Sequence, residues 1–187
     1  MLQNRYNLPE GAVFHASGIM RDIKGGPKWL YPIFQAGVRW KLLFPEQGID
    51  IPFTIKNHAF ISHTGENQVH WERIFHFSKK KRYFNALMSL DDKQSIIQDY
   101  LGEPPLLYAD LSLHVTENGG LTIQSLRQRL VLGKVEIPLP RIFQGLATVI
   151  ERYDDEQELF HIHVTVRNPL IGRLFSYEGT FSTNEDT

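Results

Sequence analysis

The 187-residue sequence contains no cysteine. That single absence excludes a disulfide framework, a thiolate zinc site, an iron–sulfur cluster and a cysteine nucleophile together. An excess of either charge is also missing: 20 Lys and Arg stand against 21 Asp and Glu, for a formal net charge of -1. With no broad positive field, neither nucleic acid nor anionic lipid is favoured as a partner. No run approaches the roughly 18 apolar residues of a membrane span, so no integral membrane segment is expected. The opening "MLQNRYNLPEGAVF" lacks the basic n-region, apolar h-region and small-residue cleavage site of a secretion signal, and a cytoplasmic, soluble chain is expected. There is no G-x-S-x-G elbow, and the glycines of "GIMRDIKGG" have neither P-loop nor dinucleotide spacing, so no cofactor is expected.

What is present is the composition of an ordinary globular chain, 42% hydrophobic and 22% charged. Its length suits one domain over residues 1–187. "PKWLYPIFQAGVRWKLLFP" alone has helical spacing, with Leu30, Ile33 or Phe34, Gly37 and Trp40 recurring at i+3 and i+4. Pro27 suits a first turn, Pro32 divides the segment into one or two short helices, and Pro45 ends it. Around it run strand-like segments: "VFHASGIMRDIKGG", "DIPFTIKNHAFIS", "QVHWERIFHF", "RYFNALMSLD", "SIIQDYLG" after a "DDKQ" turn, and "LYADLSLHV". Across "TENGG", with its Asn-Gly hairpin signal, follow "GLTIQSLRQRLVLG", "LATVIERYD", "LFHIHVTVRN" and "GRLFSYEGTF". The fold class is therefore mainly β, an antiparallel meander of about nine or ten strands forming a barrel or a strongly curved sheet, since closure removes exposed edges.

The most informative stretch is "VHWERIFHF". Strand alternation puts Val69, Trp71, Arg73, Phe75 and Phe77 on one face and His70, Glu72, Ile74 and His76 on the other. Arg73 thus shares the aromatic face, and a guanidinium there needs a partner. That partner is either a protein carboxylate, such as Asp99, Asp110 or Glu178, or the anionic end of a ligand. In "LTIQSLRQRLVL" the same alternation groups Arg127 and Arg129 with Leu121, Ile123, Ser125 and Val131; if that face is inward, the interior is strongly cationic. His161 and His163 share a strand face, but the opposite face carries Phe160, Ile162, Val164 and Val166, so the histidines are expected in solvent and no metal site is expected. The aromatic helix, with Trp29, Phe34, Trp40 and Phe44 near it, reads either as a lid or lipid-touching surface or as a core helix plugging the sheet.

Several motifs in order resemble a bacterial family, domain of unknown function 4166. They are Trp71-x-Arg73-x-Phe75, the stretch Leu139, Pro140, Arg141, and a closing Pro169-Leu170-x-Gly172 followed by Tyr177-x-Gly179. The resemblance covers nearly the whole chain. It implies an accessory or substrate-holding role, because members occur alone or attached to reductases resembling saccharopine dehydrogenase. It supplies no catalytic residues, and it implies that Met1 marks a shortened start. The expected function is binding of a hydrophobic, lipid-like small molecule with an anionic end, with Trp71, Phe75 and Tyr83 for apolar contact, Arg73 as charge anchor, and Arg141 and Tyr177 in support. No catalysis by this domain alone is expected. The alternatives are an accessory or substrate-holding partner of a reductase-like protein and a structural protein-interaction module.

Overall fold

A computed structural model describes residues 8–91, 94 and 96–183. Twelve strands follow in chain order: β1 (Val13–Gly25), β2 (Gly48–Ile61), β3 (Asn67–Phe77), β4 (Lys80–Tyr83), β5 (Ala86–Asp91), β6 (Ile96–Leu101), β7 (Leu107–Val115), β8 (Leu121–Leu132), β9 (Val135–Pro138), β10 (Leu146–Asp154), β11 (Leu159–Asn168) and β12 (Gly172–Thr183). One helix, α1 (Tyr31–Gly37), lies between β1 and β2, flanked by 3-10 turns at Lys28–Leu30 and Val38–Trp40. Pro32 sits in its first turn, where its missing N–H costs nothing. No helix among the described residues is long and apolar enough to cross a membrane.

Neighbouring strands pair antiparallel, and two pairings close the sheet: β1 with β12, and β8 with β10. The result is a closed ten-strand barrel, the architecture expected from the meander. The short β4 and β9 lie outside the ring, extending β3 and β8 beyond its rim. "RYFNALMSLD" is accordingly two strands, because Phe84 and Asn85 are buried at the corner where the chain crosses from β4 to β5. Residues 92, 93 and 95 of and beside the "DDKQ" turn lie outside the described residues.

The interior is aromatic. Phe75 is wholly buried, with ring centroids of Phe44, Phe53 and Tyr177 at 4.9, 5.0 and 5.2 Å. Phe160 and Phe181 stack at 5.0 Å toward the other end of the barrel. Each such ring taken out of water contributes about 1.5–3 kcal/mol, so this cluster is the main stabiliser of closure. Closure is tight at the seam between β1 and β12. A Cβ on Gly179 would lie 2.1 Å from the carbonyl oxygen of Ile19 and 2.6 Å from Cα of Met20. Gly172 begins β12 at φ +88°, a left-handed turn position. The two glycines of the closing motif thus have separate steric reasons.

Inward and outward faces follow the alternation read for β3 and β11. Trp71, Arg73 and Phe75 are buried, and Phe160, Ile162, Val164 and Val166 form the inner stripe opposite His161 and His163. In β8 the alternation fails. The register runs Ala109↔Gln128 and then Leu111↔Ser125, so β8 carries an extra residue there. This bulge turns Gln128 inward and sends Arg127 and Arg129 outside, where Arg127 Nε donates to Asp110 at 3.1 Å and Arg129 Nη1 to Glu136 at 2.8 Å. The strongly cationic interior is therefore not formed; among the described residues Arg73 is the arginine that lines the cavity.

Candidate functional site

The barrel holds a cavity of about 720 Å³ that opens between α1, the turn Arg141–Phe143 and the turn at residues 169–171. Its walls are mostly aliphatic and aromatic: Leu107 and Leu111 come from β7, Ile123 from β8, Ala147 and Val149 from β10, Val164 from β11, and Trp71 and Met88 from β3 and β5. Inward alternation on half-buried antiparallel strands supplies this lining, and its volume falls within the usual range of small-molecule sites.

Polar side chains interrupt the apolar lining at Ser125, Gln128, Gln144 and Asn168, and at three buried groups, Arg73, Asp99 and Tyr177. These three are 9%, 5% and 1% exposed. The Arg73 guanidinium stacks over the Phe84 ring, 4.3 Å from its centroid, and its Nε and Nη2 have no hydrogen-bond partner among the described residues. Oδ1 of Asp99 and the hydroxyl of Tyr177 are likewise unpartnered there. Asp110 and Glu178, the other carboxylates considered for Arg73, are engaged elsewhere. Asp110 accepts from Tyr108 at 2.5 Å and from Arg127, while Glu178 accepts from Arg21 at 2.7 Å on the outer surface.

Asp99 is the nearest thing to a counter-charge. Burial pushes its carboxyl up to about 7, and the positive charge of Arg73 pulls the other way without cancelling that effect. No ion pair joins the two among the described residues, and burial favours the neutral form of the carboxyl. A protonated Asp99 is a donor, and it, Arg73 and Tyr177 present donors suited to an acceptor-rich group along the lining of one cavity.

The mouth is built on side-chain clamps. Asn168 Nδ2 reaches the carbonyls of Arg141, Ile142 and Gln144 at 3.2, 2.9 and 2.7 Å, and its Oδ1 accepts from the Leu170 and Ile171 N–H groups. The inward-turned Gln128 grips Gly145, with its amide donating to the carbonyl and accepting from the N–H, both at 2.8 Å. On the far side Glu103 gathers Lys41, His70 and Asn85. Burial raises the Glu103 pKa, but these hydrogen bonds outweigh that and hold it below the ordinary carboxylate range. The residue following α1 and its turn, Lys41, is tied further by the Asn85 N–H to its carbonyl at 2.8 Å. Leu30 and Phe34 are buried, and together with Trp29, Ile33 and Trp40 they line the cavity. The helix segment therefore stands at the mouth.

Of the residues read from the sequence as a site, Trp71, Arg73 and Tyr177 come together in the cavity wall. Phe75 packs behind it in the aromatic core. Tyr83 lies half-buried outside it, with the Lys41 ammonium 5.4 Å from its ring centroid, and Arg141 is exposed on the turn at the mouth. Asp99, Phe84 and Gln128 were not singled out as site residues. Asp99 carried a usable signal, an isolated carboxylate in the apolar run "SIIQDYLG", whereas Gln128 enters only through the bulge.

No solved structure matches the chain. The chain is similar to an uncharacterized protein, YndH, of Bacillus subtilis (strain 168), at 39% identity over 184 residues, covering 98% of this chain and 90% of that protein. The family described as domain of unknown function (DUF4166) matches residues 1–181, and the chain belongs to that family.

Proposed function

We propose that the barrel binds a hydrophobic small molecule with an anionic end. The observation that carries this reading is the Arg73 guanidinium, with two buried donors lacking partners in the wall of a large apolar cavity. An unsatisfied buried donor costs about 1–3 kcal/mol, and more when charged. A carboxylate or phosphate placed there removes that cost, and the apolar walls take the remainder of the molecule out of water. Trp71 supplies apolar contact, Tyr177 a further donor, and neutral Asp99 a hydrogen bond to the same head group. Phe75 supports the Trp71 and Arg73 strand from behind.

The test is native mass spectrometry of the purified protein with analysis of extracted lipids, followed by titration with a fluorescent fatty acid. A co-purifying amphiphile and saturable fatty-acid binding, weakened in Arg73→Met, support the reading; an empty protein that does not bind the fatty acid overturns it.

A second reading, a domain that holds a substrate for a reductase, is favoured by the Asp99 carboxyl. With a pKa near 7 inside an apolar cavity, it can give or take a proton at neutral pH. Under that reading Asp99→Asn leaves fatty-acid binding near the wild-type level and abolishes turnover of the held substrate by a reductase partner.

A further inference from the structure

The mouth of the cavity is unusual for an exposed surface. Trp29, Ile33, Ile142, Phe143 and Leu170 are 62, 61, 51, 71 and 71% exposed, and all five also line the cavity. They surround one opening, so they form a continuous apolar rim rather than scattered surface residues. The rim is not free to fold back. Ile142 and Phe143 belong to the turn whose carbonyls Asn168 holds, and the same Asn168 holds the backbone N–H of Leu170.

Charge is arranged around this rim with one sign. The segments that frame it, 26–43, 139–145 and 167–173, carry Lys28, Arg39, Lys41, Arg141, Arg167 and Arg173 and not one Asp or Glu. Apart from Lys41, these are exposed and make no ion pair among the described residues. The turn "SKKKR" at 78–82 adds four more basic residues at the same end of the barrel. The carboxylates at this end include Glu46, Glu103 and Glu136, each held by Arg82, Lys41 and Arg129 respectively. At the opposite end the turns 62–66, 116–120 and 154–158 carry Glu66, Glu117, Asp154, Asp155, Glu156 and Glu158 and no Lys or Arg, and the segment that joins β5 to β6 adds Asp91, Asp92 and one Lys, Lys93. The formal net charge of -1 is a sum over the whole chain and hides this polarity.

From this arrangement we propose that the mouth docks on the surface of an anionic lipid bilayer. Approach is steered by the charge polarity of the barrel, which turns the basic end toward a negative surface and the acidic end away. Trp29, Ile33, Phe143 and Leu170 enter the interface, with the flanking arginines and lysines at head-group level, as in interfacial amphipathic segments. A protein partner would need carboxylates spaced to meet cations on all sides of an apolar ring; a bilayer offers both layers without such matching. Docking places the cavity opening against lipid, so an amphiphile enters or leaves without crossing water. Docking stands on the rim and its charges, and holds whether or not Arg73 anchors a ligand.

The experiment is co-sedimentation of the full chain with vesicles of phosphatidylcholine alone and of phosphatidylcholine mixed with phosphatidylglycerol. Binding to the mixed vesicles, weakened by salt and by about tenfold in Arg141→Glu/Arg173→Glu and in Phe143→Ser/Leu170→Ser, is the expected result. Quenching of tryptophan fluorescence by brominated lipid, lost in Trp29→Phe, places the helix in the interface. The rim residues are exposed, so thermal melts of the variants should match wild type. Absence of binding to mixed vesicles at low salt overturns the proposal. Equal binding by wild type and both double variants does so too. A dimer that Phe143→Ser/Leu170→Ser dissolves, without vesicle binding, assigns the rim to contact between copies and also overturns it. Arg73→Met leaves vesicle binding unchanged, which separates this outcome from failure of the cavity reading.

Discussion

Arg73 and Asp99 share the wall of one buried cavity and each feels the charge of the other, yet no ion pair joins them among the described residues. A pair closed on itself would be a structural tie. Two groups held apart, with unpartnered atoms, leave room for something between or beside them.

Arg73→Met separates the two meanings of this arginine. Loss of charge-assisted hydrogen bonds worth about 1.5–3 kcal/mol weakens binding of a fluorescent fatty acid by about 10- to 100-fold, while the corresponding alcohol loses little. Because the substitution removes a buried charge without breaking an ion pair, the melting temperature stays the same or rises. A large drop in melting temperature with unchanged binding would make Arg73 a structural residue.

The pH dependence follows from Asp99. Its folded value of about 7 stands above the ordinary 3.8, so between those values the folded chain holds an extra proton. This contribution to stability is full below about 3.8 and is lost as pH rises to about 7. Fatty-acid affinity falls over the upper part of the same window, since ionised Asp99 repels the head group and competes for Arg73. Denaturant titrations and binding curves from pH 5 to 8.5, compared with Asp99→Asn, check both effects; the asparagine variant lacks this component of each slope, whatever its absolute stability.

Asn168→Ala removes the clamp that joins the turns on two sides of the mouth. Several hydrogen bonds of about 1 kcal/mol each are lost and buried backbone groups are stranded, so stability falls by roughly 2–3 kcal/mol. For a chain of this size that lowers the melting temperature by about 5–10 °C, measurable by calorimetry.

Gly179→Ala tests the seam of the barrel. The added methyl meets the backbone of β1 rather than a movable side chain, so relief requires strand displacement. Destabilisation of about 3 kcal/mol is expected in chemical denaturation. An unchanged midpoint would show that the β1–β12 pairing is looser than this geometry.

Much of the architecture is legible in the sequence because period-two alternation and short polar turns are local signals. They identify the meander, the helical lead segment, the inner stripe of β11 and the aromatic face that carries Arg73. Alternation breaks wherever a strand gains a residue. Nothing in "LTIQSLRQRLVL" marks the bulge that sends Arg127 and Arg129 out and brings Gln128 in, because a bulge is defined by the register of the neighbouring strand.

By itself, then, the sequence determined that the chain is an antiparallel β protein with Arg73 on an aromatic strand face, and its ordered motifs resembled a family. Tertiary structure decided what that arginine meets. Closure through β8–β10 and β1–β12 brings Asp99 and Tyr177, distant in sequence from Arg73, into the same cavity wall. Closure also sorts the turns into two ends, one basic and apolar, the other acidic. Composition sums those charges to nearly zero, since a count carries no positions; only the direction of each strand around the ring assigns a turn to the mouth or to the far end.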